Sequence, residues 1–316
     1  MIPGIDKLSE PSENVAVPQH SNSSSIIPVL WVLLIGATMA AVACGGITTA
    51  DTQKPLRVVT TTSLLADLTQ NVAGASTVVT AVIPPGADVH SFQTTPNHSI
   101  AISNAGLIVS NGGGLDDFLY PMIENAQEDG AVHIVASQGL AGVSTRQDPH
   151  FWQNPANAVH YVRRIQEGLS TADPANAESY QDRADAYVQQ LLDLDQEISR
   201  ILSEVPPSRR HLVTYHDAFA HFGARYGWRT SSLVANDAGG VTPNAIAHLQ
   251  ERVREEGIAA VFTEAQFRSK VIELAARDTG VEVGTIYCDV LGGGSGADTY
   301  LNMMRLNARN LVKLLR

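Results

Sequence analysis

The sequence predicts an α/β protein built as two similar lobes joined by one long helix. Three observations predict it. Short apolar runs alternate with helical segments over 56–136. The same alternation resumes over 211–315. Between them Tyr180, Ala184, Tyr187, Leu191, Leu194, Ile198 and Ile201 recur at spacings of 4, 3, 4, 3, 4 and 3, a single apolar stripe on one helix.

In the first lobe, strands are expected at 56–61, 77–83, 107–112 and 132–136, with helices at 64–72, 96–105 and 116–126. Pro96 suits the first turn of the second of these helices. Strands that alternate with helices favour a parallel sheet. The long helix is expected over 174–204, opened by Asp173-Pro174 and stopped by Pro206-Pro207. At about 1.5 Å per residue it would reach roughly 45 Å. A two-helix coiled coil is the competing reading, but with no matching heptad of similar length, one helix lying across both lobes is preferred. In the second lobe, strands are expected at 211–215, 230–234, 259–263 and 282–287, with helices at 217–226, 243–256, 268–279 and 298–315. The organisation expected is therefore a leader at 1–44, a tether at 45–54, a first α/β lobe at 55–170, the linking helix at 171–207 and a second α/β lobe at 208–316.

Residues 1–25 are polar, with Pro and Ser frequent. The run IIPVLWVLLIGATMAAVAC, 26–44, is apolar and ends in small residues. It reads as a signal segment followed by a lipidation box, with Cys44 as the lipidated residue. An uncleaved anchor is the alternative, since a spanning helix needs roughly 17–20 residues. Against a signal, Lys7 is outweighed by Asp6, Glu10 and Glu13. Either reading puts the body outside the membrane.

The 316 residues carry a formal charge of −11, and no Lys/Arg cluster is visible, which argues against nucleic acid as a partner. The two cysteines, Cys44 and Cys288, exclude a disulfide framework and a four-cysteine zinc site. A metal site would have to use His, Asp and Glu.

Of ten histidines, His98, His160, His221 and His248 fall within expected helices, where a solvated or partly packed ring is the default. His20 lies in the leader, and His133 and His211 open strands with no polar cluster expected beside them. His90 in PPGADVHSF, His150 in QDPHFW and His216 in VTYHDAF all lie between a strand and a helix. In open α/β sheets ligands bind at that edge. Asp289 in IYCDVLGGG follows the last strand and faces the same edge; a helix cap or turn role is its alternative. Three imidazoles and a carboxylate suit Zn²⁺. Asp88, Asp148 and Asp217 each lie within two residues of one of these histidines, but neighbours in sequence rarely orient one another's rings, so the Asp-Pro of DPH is expected to shape a turn. Strand alternation sends Cys288 into the core if Asp289 faces the cleft.

With these residues in view, the chain resembles the metal-binding lipoproteins of ABC importers, a substrate-binding family with a rigid helical spacer. The likeness runs from about 56 to 316 and rests on PPGADVHSF, DPHFWQNPANA, DPANAESYQDRADAY, VTYHDAFAHFGARYGW, VFTEAQF and YCDVLGGG. It implies a pseudo-symmetric pair of four-stranded lobes with the metal between them, ligated by His90, His150, His216 and Asp289. At the third ligand position zinc members resemble HDAF, as here, while manganese members carry Glu; EAQFR at 264–268 also looks like the zinc branch. The His-rich loop and the second-lobe disulfide seen in some zinc members have no counterpart in this sequence. The resemblance implies a monomer that captures Zn²⁺ outside the cytoplasmic membrane, held there by a lipid anchor, and hands it to an ABC permease. Kept beside it are the same architecture binding Mn²⁺ or Fe²⁺, a zinc hydrolase, and an interaction protein with a structural metal. An enzyme is not expected: Asp289 would close the coordination sphere, and neither HExxH nor GxSxG occurs.

Overall fold

The computed structural model describes residues 55–142, 148–234, 243–267, 273 and 279–316. Cys44, the leader and the tether through residue 54 lie outside the described residues, as does most of the helix expected over 268–279. Among the described residues, no helix is long and apolar enough to cross a membrane.

The first half holds β1 (Arg57–Thr62), α1 (Ser63–Ala73), β2 (Val78–Ile83), α2 (Pro96–Ser103), β3 (Leu107–Ser110), α3 (Tyr120–Glu128) and β4 (Val132–Val135). Two helices follow, α4 (Pro155–Ala172) and α5 (Ala177–Leu202). The second half holds β5 (His211–His216), α6 (Ala220–Tyr226), β6 (Arg229–Val234), α7 (Pro243–Glu256), β7 (Ala260–Glu264), β8 (Glu282–Ile286) and α8 (Tyr300–Leu315). The strands form two parallel four-stranded sheets, ordered β2-β1-β3-β4 and β6-β5-β7-β8. The second order repeats the first, so the α/β class and the paired lobes expected from the sequence are what the chain adopts.

Side-chain caps set several helix starts. Thr62 accepts from Leu65 N–H at α1, Asn154 from Ala156 N–H at α4 and Thr299 from Asn302 N–H at α8, each satisfying a first-turn donor. β3 stops two residues earlier than expected because Asn111-Gly112-Gly113 turns the chain. Gly112 has φ +81°, and a Cβ there would come within 2.4 Å of Val135 Cγ1. Helix α6 starts three residues late: the His216 carbonyl accepts from Ala218 N–H at 3.1 Å, a tight turn incompatible with helix at 217–219.

The stripe on α5 is buried at Tyr180, Ala184, Tyr187, Leu191, Leu194 and Ile198; Ile201 is only half-buried and Leu202 takes its place. Pro174–Asn176 is a separate 3₁₀ turn, so α5 has 26 residues and runs about 39 Å. The single long helix stands as expected; α4, of 18 residues against 26, packs along it. Gly168 interrupts the apolar pattern of α4, which hides it as a partner, yet allows close approach to β3 and β4: a Cβ at Gly168 would lie 2.9 Å from Ile134 Cγ2 and 3.1 Å from Leu107 Cδ1.

Polar links fasten α5 to both halves. Arg183 donates to the Val72 and Ala73 carbonyls at the end of α1 (2.7 and 3.0 Å). Asp195 accepts from Arg225 Nε and Tyr226 Oη, both at 2.9 Å, and Glu197 from Arg305 Nε at 2.7 Å. One hydrophobic cluster spans both halves, from Val58 and Leu107 through Trp152 and Leu194 to Met303.

Candidate metal centre

Four strand ends converge between the sheets. The loop after β2 carries His90, that after β4 carries His150, β5 ends on His216, and the loop after β8 carries Asp289. Their donor atoms all lie within 4.8 Å of one another. His150 Nε2 is 3.3 Å from Asp289 Oδ1 and 3.4 Å from His216 Nε2. Asp289 Oδ2 is 3.5 Å from both His90 Nε2 and His216 Nε2. His150, His216 and Asp289 are buried, whereas the His90 side chain keeps 22% exposure and forms the solvent side of the cluster.

The loops are held across the two halves. Gly86 N–H donates to the Leu291 carbonyl (3.1 Å), tying the His90 loop to the Asp289 loop. Leu291 N–H donates to Ser63 Oγ at the start of α1 (3.2 Å), and Tyr300 N–H to Asp67 Oδ2 (2.8 Å). Trp152 Nε1 donates to the Cys288 carbonyl (2.9 Å), and Tyr300 Oη to the Trp152 carbonyl (2.6 Å). Asn111 Nδ2 donates to the Pro149 carbonyl (3.0 Å) and Asn111 Oδ1 accepts from Tyr161 Oη (2.6 Å), fixing the chain just before His150.

Two further carboxylates orient the imidazoles. Asp148 accepts from His150 Nδ1 at 2.7 Å, so Asp148 does more than shape a turn. The sequence expectation fails here because a two-residue separation lets the chain fold back around Pro149. Asp148 is held in turn by the buried His221, which stacks on Phe151 at 4.5 Å and whose Nε2 lies 3.1 Å from the Asp148 carbonyl. Glu264, fully buried at the end of β7, lies 3.3 Å from His216 Nδ1. Sequence reasoning quoted Glu264 within EAQF but gave it no role; the strand-end criterion applied to Asp289 would have found it. Gln266 Nε2 donates to Asp289 Oδ2 at 3.1 Å. Asp88, in contrast, accepts from His90 backbone N–H (3.0 Å) and so shapes the turn.

Charge in the cluster is strongly coupled. Burial alone would raise the Asp289 carboxyl, but the His216 and His150 rings hold it well below the usual carboxylate range. Burial alone would lower His150, but Asp289 and Asp148 push it up to about 10. His216 is likewise raised, against burial, by Asp289 and Glu264. Burial raises Glu264, with His216 opposing. The set is a largely buried cluster of three imidazoles and a carboxylate, with two more carboxylates beside it.

The remaining histidines are elsewhere. His98 Nδ1 accepts from Thr95 N–H in a capping box, and His160 contacts the Gln138 carbonyl. His133 pairs with Ser110. His211 does sit in a polar cluster, against expectation: Ser231 and Arg229 are at 2.8 and 2.6 Å and Glu256 at 3.5 Å, because parallel pairing brings the starts of β5 and β6 together. Cys288 is a free, buried thiol with Gln153 Nε2 at 3.3 Å; the last strand ends at Ile286, so strand alternation does not extend to it.

Fold and cluster together define a substrate-binding protein for a metal ion. The chain belongs to the family of the zinc-uptake complex component A, periplasmic, which matches residues 58–314. The manganese-binding lipoprotein MntA of Halalkalibacterium halodurans is 32% identical over 291 residues, covering 89% of this chain and 96% of that one. The iron-binding protein YfeA of Yersinia pestis is 30% identical over 275 residues, covering 84% and 88%. The solved periplasmic zinc-binding protein TroA of Treponema pallidum superposes with a TM-score of 0.77 at 26% identity, covering 83% of this chain and 99% of that one. The protein is thus the substrate-binding component of a metal ABC transporter, with a membrane permease as partner, and not an enzyme.

Proposed function

We propose that this protein captures one Zn²⁺ ion between its two lobes through His90, His150, His216 and Asp289 and delivers it to the permease. The observation that carries the proposal is the spacing of the cluster. Zinc–ligand bonds of about 2.0–2.1 Å in a tetrahedron put ligand atoms about 3.3–3.4 Å apart. With Asp289 Oδ2 as the carboxylate donor, its contacts to His90 and His216 both measure 3.5 Å, and His150 Nε2 lies 3.4 Å from His216 Nε2. An octahedral ion would draw adjacent ligands closer and call for more oxygen donors than one carboxylate.

In this reading the lobes, 55–170 and 208–316, act as a monomer around the helix at 171–207. Cys44 carries the lipid that keeps the protein on the outer side of the cytoplasmic membrane. The manganese- and iron-binding names of MntA and YfeA favour a second reading, the same site loaded with Mn²⁺ or Fe²⁺. Elemental analysis of the protein purified from its native compartment, with competitive titration of Zn²⁺ against Mn²⁺, separates the two. One equivalent of zinc is expected; manganese or iron at one equivalent with zinc absent would overturn the zinc assignment.

A further inference from the structure

We infer that Gln266 is the residue that holds the site to four-coordinate binding, and so selects Zn²⁺ against ions that need more ligands. The inference rests on the His90–His150–His216–Asp289 reading above and deepens it. Gln266 lies in the turn after β7, two residues beyond Glu264, and its Nε2 donates to Asp289 Oδ2 at 3.1 Å. The orientation is fixed by chemistry: the amide oxygen facing a carboxylate would be repulsive, so the NH₂ faces it.

Asp289 is the single candidate ligand with two donor atoms, and hence the one that can change coordination number by itself. Its carboxyl is fully buried. Oδ1 faces His150 and Oδ2 faces His90, His216 and the Gln266 amide. The Gln266 amide fixes the rotation of the carboxylate with Oδ2 turned toward His90 and His216, the oxygen that a tetrahedron with those rings would use. Gln266 therefore favours binding through one oxygen, which completes a tetrahedron with three imidazoles. Without that donor Asp289 is free to bind through both oxygens, and a fifth ligand atom becomes available. Manganese prefers oxygen donors and more of them than zinc needs. Glu264 is not among the side chains whose donor atoms converge; its Oε1 lies 3.3 Å from His216 Nδ1. Gln266 acts through Asp289 and is a positioning residue.

The test compares wild type with Gln266→Leu and Gln266→Ala in the full mature chain, with folding checked by circular dichroism. Zn²⁺ and Mn²⁺ affinities are measured by competition, and the visible spectrum of the Co²⁺-loaded protein reports coordination, because tetrahedral Co²⁺ absorbs far more strongly than five- or six-coordinate Co²⁺. Both variants are expected to lower the Zn²⁺/Mn²⁺ affinity ratio at least about tenfold, about 1.4 kcal/mol of differential binding, and to weaken the Co²⁺ bands. A ratio and spectrum unchanged from wild type would overturn the inference. So would an equal loss of affinity for both ions with the tetrahedral spectrum retained, the outcome of a merely structural role. His216→Ala is run alongside: if it leaves zinc binding intact, the ligand assignment itself has failed. If it abolishes tight zinc binding while the Gln266 variants match wild type, the Gln266 inference alone has failed.

Discussion

Asp148 Oδ1 accepts two hydrogen bonds from one residue, the backbone N–H of His150 at 2.9 Å and its ring Nδ1–H at 2.7 Å. The pair fixes the position of the imidazole. With Nδ1 engaged by Asp148, Nε2 is the atom that faces Asp289 and His216, and it must give up its proton for an ion to bind there. In the second lobe Glu264 Oε1 accepts from the His216 backbone N–H at 3.4 Å and lies 3.3 Å from its ring Nδ1.

Removing such an orienting carboxylate typically costs 10–100-fold in metal affinity. Asp148→Asn is therefore expected to weaken Zn²⁺ binding about 10–100-fold, with Glu264→Gln similar, while the fold persists. Competition against a chromophoric chelator measures this. Wild-type affinity in both variants would remove the orienting role.

Metal binding must displace protons. The folded, metal-free His150 is pushed up to about 10, above the unfolded value of about 6.5. Its protonation therefore stabilises the metal-free fold below about pH 6.5, and that contribution is lost as pH rises through about 10. Metal requires the neutral ring, so zinc affinity is expected to rise with pH across the range from about 6.5 to 10, up to about tenfold per unit for each proton displaced. Calorimetry at about pH 7.5 in buffers of differing ionisation enthalpy should show release of at least one proton. Heat independent of the buffer would contradict the raised value.

His216 is the side chain on which the proposed zinc assignment turns. His216→Glu gives two imidazoles and two carboxylates and is expected to lower the Zn²⁺/Mn²⁺ affinity ratio at least about tenfold, about 1.4 kcal/mol. His216→Ala should weaken Zn²⁺ without raising Mn²⁺ affinity. The ratio is the meaningful quantity, because raw affinity favours zinc at nearly any such site.

Helix α5 is tied to α1 through Arg183, to α6 through Asp195 and to α8 through Glu197. A wide hinge opening would break all three. Hydrogen exchange is expected to show metal-dependent protection in the loops around His90, His150 and Asp289 with little change in α5. Small-angle scattering should give nearly the same dimensions with and without metal; a large expansion on metal removal would refute the strut.

Cys44→Ala should leave the precursor unprocessed and without lipid label. One acyl chain binds a membrane only marginally, so stable anchoring requires at least two. A variant that labels and partitions like wild type would exclude Cys44 as the anchor.

The α/β class, the two lobes and the long helix were legible in the sequence, because hydrophobic period is set locally by backbone geometry: period two or unbroken runs in strands, the 4-3 stripe from Tyr180 to Ile198 in α5. His90, His150, His216 and Asp289 were legible for a related reason, since parallel sheets place strand ends, and whatever side chains follow them, on one edge. What the tertiary structure alone decided is how those four meet and what surrounds them. Nothing in spacing reveals that Glu264 backs His216, that Gln266 reaches Asp289, or that α4 lies along α5; the first two pairs meet because β5, β7 and β8 are neighbours in one sheet, and the helices by packing side by side. Asp148 was misjudged for the opposite reason. It lies two residues from His150, and only the backbone turn through Pro149, held by Asn111, brings its carboxylate back onto the ring.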